Sequence, residues 1–274
     1  ETAPGRGSIA GTKDDIVFWA VSKIAYMPAH YRRYALAALA YAAAFAYILL
    51  RWDAIPDPVP VHFNVNGDAD GFEPKTLLHA TFLITIGIAI SISMLACVPP
   101  KTLARQTVDV PEDKALPYSE TAAARVEKLC DATADFMSKT LLAMAVLFAL
   151  TNVSMMLPDI SLPFWLEIAL WIAFTVYIVV VAIRMTTAKD GIEPDEAEQQ
   201  RNHLLRMQGG MGTYKEPNDP MLAAVLPQAP GKISVNTAHA PGKRYLWRVM
   251  TSVVAVLVVC LLYTSDAADD SLRV

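Results

Sequence analysis

Residues 76–98 run for 23 positions without an Asp, Glu, Lys or Arg, and this stretch constrains the fold more than any other. A helix needs about 20 mostly apolar residues to cross a bilayer. Three further runs meet or approach that length. Residues 34–50 carry no charge and are closed by Arg51 and Trp52, 140–157 are uncharged and end at Pro158, and 162–183 contain one charge, Glu167. A fifth apolar run begins at Val249. Core helices of a soluble protein would show a charged outer face, and 76–98 has none. In lipid a helix satisfies its own backbone hydrogen bonds. The sequence therefore predicts an all-α membrane protein: a helical bundle of four complete transmembrane helices plus one truncated, with a structured extracytoplasmic loop. Composition agrees, with 54% hydrophobic and 18% charged residues against roughly 25% charged in an average soluble domain.

Lys and Arg fall on alternate sides of these runs. Five precede the first, six lie between the second and third, and nine stand from 184 to 248, whereas 51–75 holds only Arg51 and Lys75. The positive-inside rule places 1–33, 99–139 and 187–247 in the cytoplasm, and 51–75 and 158–161 outside. The chain thus divides into an N-terminal segment 1–33, expected to be truncated, and a helix-loop-helix unit 34–98 with its cap at 51–75. After these come a cytoplasmic loop and helix 99–139, a transmembrane hairpin 140–186, a cytoplasmic module 187–247 and the start of a fifth span at 248–259. The cap is acidic, with net charge −3. The three cysteines form no disulfide framework.

The cap reads RWDAIPDPVPVHFNVNGDADGFEPKT. Prolines 56, 58 and 60 hold an extended entry, 61–65 alternate as a strand, and Asn66-Gly67 is a tight-turn signal. Asp70-Gly71 is expected to make a second turn, and Pro74 to lead into the next helix. The segment carries Ile55, Pro56, Pro60, His62, Phe63, Asn64, Gly67, Asp70, Gly71 and Lys75 in a pattern that resembles a bacterial membrane family of uncharacterised domains, including the SdpI-type immunity proteins. A second stretch, 213–249, is similar to a short cytoplasmic module attached to such proteins. Tyr214, Asn218, Asp219, Pro220, Leu222, Pro227, Gly231 and Asn236 fit it, whereas Gln228, Ala229 and Pro230 replace its usual aromatic and basic residues. The resemblance implies a non-catalytic protein of immunity or signalling, with a peptide toxin or envelope signal outside and a protein partner in the cytoplasm.

Other candidate sites are weaker. Asn66, Asp68, Asp70 and Gly71 resemble the opening of a calcium loop, but position 12 is Leu77 where a bidentate Glu is needed. His62 and His79 lack metal-site spacing, so no metal is expected. Glu167, one turn into the fourth span beside Phe164 and Trp165, is an intramembrane carboxylate and hence a site candidate, although the interfacial position also explains it. Asn152, with Thr151 and Ser154, is expected to hydrogen-bond between helices. A small-solute transporter or channel subunit using Asn152 and Glu167 is the alternative function.

The alanine-rich first span is expected within the bundle. Residues 120–139 and 194–207 read as solvated charged helices, the second ended by a flexible Gly209-Gly210 joint. There is no nucleophile-base grouping, no nucleotide loop and no basic stripe for nucleic acid at a pI near 5.7. The sequence thus predicts no enzyme, cofactor or nucleic-acid partner. The last stretch, CLLYTSDAADD at 260–270, resembles a translated sequencing adaptor. On that reading 260–274 is foreign sequence and the fifth span stops near Val259.

Overall fold

In a computed structural model, residues 28–186, 191–205 and 212–270 are described, the side chains of Thr186 and 262–270 excepted. The N-terminal stretch 1–27, the Gly209-Gly210 joint and the last residues 271–274 lie outside the described residues.

Among the described residues five helices are long and apolar enough to cross a membrane. In chain order the helices are α1 (Ala29–Leu50), then α2 (Leu77–Ala80) breaking into α3 (Phe82–Cys97), then α4 (Thr102–Arg105), α5 (Glu120–Met156) and α6 (Phe164–Thr186). After α7 (Glu196–Leu205) comes the last long helix, α8 (Ala240–Asp270). The spanning helices are α1, α3, α5, α6 and α8, as an all-α membrane protein requires. The helix α8 opens at Ala240, nine residues before Val249, and its stretch Ala240–Leu261 holds an apolar window long enough to cross a membrane. Its first turns carry Lys243, Arg244 and Arg248. An apolar-run criterion skips these cations, but their stems can lie along the helix while the charges reach the interface.

The helix α5 organises the molecule. Its 37 residues extend about 55 Å at 1.5 Å per residue, well beyond a hydrocarbon layer about 30 Å thick. Ser119 caps it, the hydroxyl oxygen accepting from Ala122 N–H at 3.0 Å. Its apolar part packs on α1, α3 and α6, where Tyr41, Ile84, Met144 and Phe148 meet. Alanines 37 and 44 let α1 approach closely, but only along one stripe. Leu36, Leu39 and Leu50 of α1 are exposed, so the expectation that the first span sits within the bundle is not met. Half of the apolar window of α5 is buried, more than in any other spanning helix.

The 120–139 part of α5 is not a solvated helix. Ala122, Ala123, Val126, Leu129 and Cys130 are buried, because the polypeptide after α7 folds over them. There β3 (Thr213–Tyr214) pairs parallel with β5 (Ser234–Asn236), which pairs antiparallel with β4 (Ala223–Ala224). Leu222, Val225 and Val235 close the core against Leu103, Val126 and Leu129.

At the opposite end of the bundle, β1 (Val59–Phe63) and β2 (Ala69–Glu73) form an antiparallel hairpin. Val59 and Ile55 sit under it against Ile48, Ala80, Met156 and Leu157. The strand begins two residues before the alternating stretch 61–65 and stops at Phe63, because Asn64 starts the turn. Asp70-Gly71 is not a second turn: Gly71 lies in β2, opposite His62.

The uncharged run 76–98 is not one helix. It breaks at Thr81, and Asn152 of α5 bridges the break. Its side chain donates to Ala80 C=O at 2.9 Å and accepts from Leu83 N–H at 3.2 Å. In an unbroken helix those groups would pair with Ile84 and His79. Asn152 is fully buried and spends its amide on a neighbour's backbone, which apolar side chains cannot do. Asn152→Leu is expected to lower stability in detergent by about 1–3 kcal/mol, the cost of buried polar groups left unpaired. Thermal unfolding of the purified protein checks this, and an unchanged midpoint would refute the bridging role.

Candidate functional site

Hairpin, α5 and α6 enclose a pocket of about 270 Å³. Its walls include Pro60, Phe63 and Gly67 from the hairpin and Ser154, Phe164 and Glu167 from the helices. The hairpin is shaped by Asn64, whose side-chain oxygen accepts from Asn66 N–H at 2.9 Å and Asp68 N–H at 3.1 Å. Such an Asx turn satisfies the loop backbone locally. Gly67 then has φ +88°, and a Cβ there would lie 2.7 Å from the Phe164 ring. Glycine is required on both counts, for the backbone conformation and for the close approach of loop to helix.

Ser154 joins the helices at the pocket floor. Its hydroxyl donates to Glu167 Oε1 at 2.6 Å and its oxygen accepts from Leu162 N–H at 2.8 Å. Glu167 lies in the first turn of α6, where the helix dipole favours a negative charge. Beside the pocket, Arg51 donates to Asp159 at 2.6 Å and holds its carboxyl below the usual range. The arrangement offers one half-buried carboxylate in a cleft otherwise lined by apolar and neutral groups, suited to a donor or cationic group of a ligand.

Several predicted residues surround the pocket without lining it. His62 pairs with Asp70 on the exposed face of the hairpin. Lys75 donates to Ile55 C=O at 2.8 Å, and its ammonium lies 5.2 Å from the Trp52 ring centroid. Pro56 lies in the entry between Ile55 and the cis Asp57-Pro58 bond. Among the described residues no group of three or more His, Cys, Asp or Glu could hold a metal ion. The polar residue Asn152 is engaged at the helix break and does not line this pocket.

The predicted residues of the 213–249 stretch form a separate, buried cluster at the other end. Asp219 accepts from Arg201 Nη1 at 2.6 Å and Nη2 at 2.7 Å, from Tyr214 at 2.7 Å and from Met221 N–H at 2.9 Å. Burial pushes the Tyr214 phenol well above its usual pKa, and the Asp219 charge adds to this. Burial opposes the Arg201 charge, but the bonds to Asp219 outweigh it and raise its pKa. Asn236 donates to Glu216 C=O at 2.8 Å and accepts from Glu216 N–H at 3.2 Å. Asn218 and Pro220 offer carbonyls to Leu116 and Val108, tying the cluster to the 106–118 loop. Gly231 stands apart, in the turn before β5.

The same region corrects the reading of 194–207 as a solvated helix. Glu198, Arg201 and Leu205 of α7 are buried in a line, with Glu198 also accepting from Arg125 at 2.9 Å and Thr121 at 2.6 Å. Arg201 is the functional-looking residue that the sequence did not single out. The only sequence signal is its spacing with Glu198 and Leu205 on one helical face. With the Asp219 carboxylate, the Tyr214 hydroxyl and both Arg201 Nη groups engaged by protein, the cluster fastens the fold.

Residues 39–88 match the family described as Domain of unknown function (DUF1648). The match takes in most of α1, the whole hairpin and the helix break. No curated protein and no solved structure matches the chain. Five apolar helices and this domain make the chain a membrane protein carrying an uncharacterised domain.

Proposed function

We propose that the protein is a non-catalytic immunity or signal-sensing membrane protein of the SdpI type, receiving a peptide or envelope signal in the pocket beneath the hairpin. The observation that carries this reading is the convergence of Pro60, Phe63 and Gly67 with Glu167 in one cleft. The positive-inside distribution of Lys and Arg supports an outward-facing cleft, beside an acidic 51–75 loop that would attract cationic peptides. The continuous helix α5 runs from Ser154 at the pocket floor to the opposite end, where the buried Asp219 cluster would face a cytoplasmic partner through its outer surface.

The test is protection of sensitive cells challenged with secreted peptide toxins. Glu167→Gln keeps the shape and removes the charge. It is expected to reduce protection about tenfold or more, the worth of one hydrogen bond to a charged group, at unchanged membrane abundance. Full protection by Glu167→Gln and by Phe63→Ala would refute the reading.

A further inference from the structure

A second cavity, of about 430 Å³, lies between α5 and α6. Its walls are apolar, including Leu142, Val146, Leu150 and Phe174, but Arg33 and Lys139 stand in its lining. Arg33 immediately precedes the uncharged stretch of α1, and Lys139 immediately precedes that of α5. Both cations therefore mark one level, the edge of the hydrocarbon layer. Along α5 the groove runs from Lys139 to Leu150, about 16 Å at the helical rise.

The two cations share one carboxylate. Asp135 accepts from Arg33 Nη1 at 2.5 Å and from Lys139 Nζ at 2.5 Å. Arg33 Nη1 also donates to Ser138 at 3.1 Å. Among the described residues its other N–H groups have no partner, and the triad carries a net charge of +1. A net positive charge at the hydrocarbon edge lies at the level of the lipid headgroups and attracts anionic ones, and a phosphodiester supplies acceptors that match guanidinium and ammonium donors. An apolar groove descends from this point.

We infer that this groove binds one anionic phospholipid, with its phosphate on Arg33 and Lys139 and an acyl chain along Leu142, Val146 and Leu150. The charge at the mouth selects the lipid, since the apolar walls accept the chains of any lipid alike.

The test is native mass spectrometry of the full chain in neutral detergent, titrated with phosphatidylglycerol or with phosphatidylcholine of the same acyl chains. Phosphatidylglycerol is expected to bind about fivefold more tightly, the worth of one basic charge near anionic lipid. The preference should vanish in Arg33→Gln/Lys139→Gln. It should grow about fivefold in Asp135→Asn, which removes the shared carboxylate, so the proposal stays falsifiable if the double variant fails to fold. Equal binding of the two lipids, a preference unmoved in Asp135→Asn, or displacement of phosphatidylglycerol by millimolar inorganic phosphate would overturn it.

Discussion

Asp219→Ala is expected to unfold the strands and turns of 212–239 from α5 at a cost of about 3–5 kcal/mol, as when one partner of a buried ion pair is removed. Asp219 and Arg201 are at most 1% exposed, so the guanidinium would be left charged among apolar groups with no water to replace the carboxylate. Tyr214 and the Met221 amide lose their acceptor at the same time. Hydrogen-deuterium exchange should show protection lost across 212–239, while the apolar half of α5 stays protected. The double replacement Arg201→Met/Asp219→Leu should cost less than Asp219→Ala alone, because it removes both charges. Equal stability of Asp219→Ala and the parent would show that the cluster does not hold this end together.

Gly242→Ala is expected to be about as damaging at the junction of β5 and α8. A Cβ on Gly242 would lie 2.0 Å from the Asn236 carbonyl oxygen and 2.8 Å from its carbonyl carbon. Neither side can yield easily. Asn236 is held through its N–H to Leu222 C=O at 2.8 Å and through its side chain to Glu216, and Gly242 sits inside a helical turn. Overpacking usually costs about 1–3 kcal/mol, and a clash with backbone on both sides places this substitution at or above the top of that range. The expected readout is a lower unfolding midpoint together with faster exchange at Ser234–Asn236. Ala240→Gly, at an exposed position two residues earlier, is the control and should change little.

The spans were legible because length and the absence of charge are local properties of the sequence. The hairpin was legible through its turn chemistry, although the register was not: Asn64, acting through its side chain, ends β1 two residues early. The break at Thr81 was hidden because its cause, Asn152, lies about 70 residues away in another helix. Burial of Arg201 was hidden for the same reason, since a charged helix reads as solvated until the acceptor that neutralises it is placed against it. The stretch 120–139 gave a misleading signal, because its buried residues contact a module of short strands with weak patterning of their own. In the candidate pocket the motif residues and Glu167 were each visible, but their convergence depends on Gly67 meeting Phe164, a contact that no local pattern encodes.

The most direct measurement is the labelling of Ser161→Cys by a membrane-impermeant maleimide in intact cells, with Cys97, Cys130 and Cys260 replaced. Ser161 is exposed and lines the pocket under the hairpin. A cleft that faces outward and receives a peptide predicts rapid labelling without permeabilisation, slowed by a peptide toxin against which the cells are protected and not slowed in Glu167→Gln. Labelling that requires permeabilisation, or that proceeds at the same rate with and without the peptide, would contradict the account.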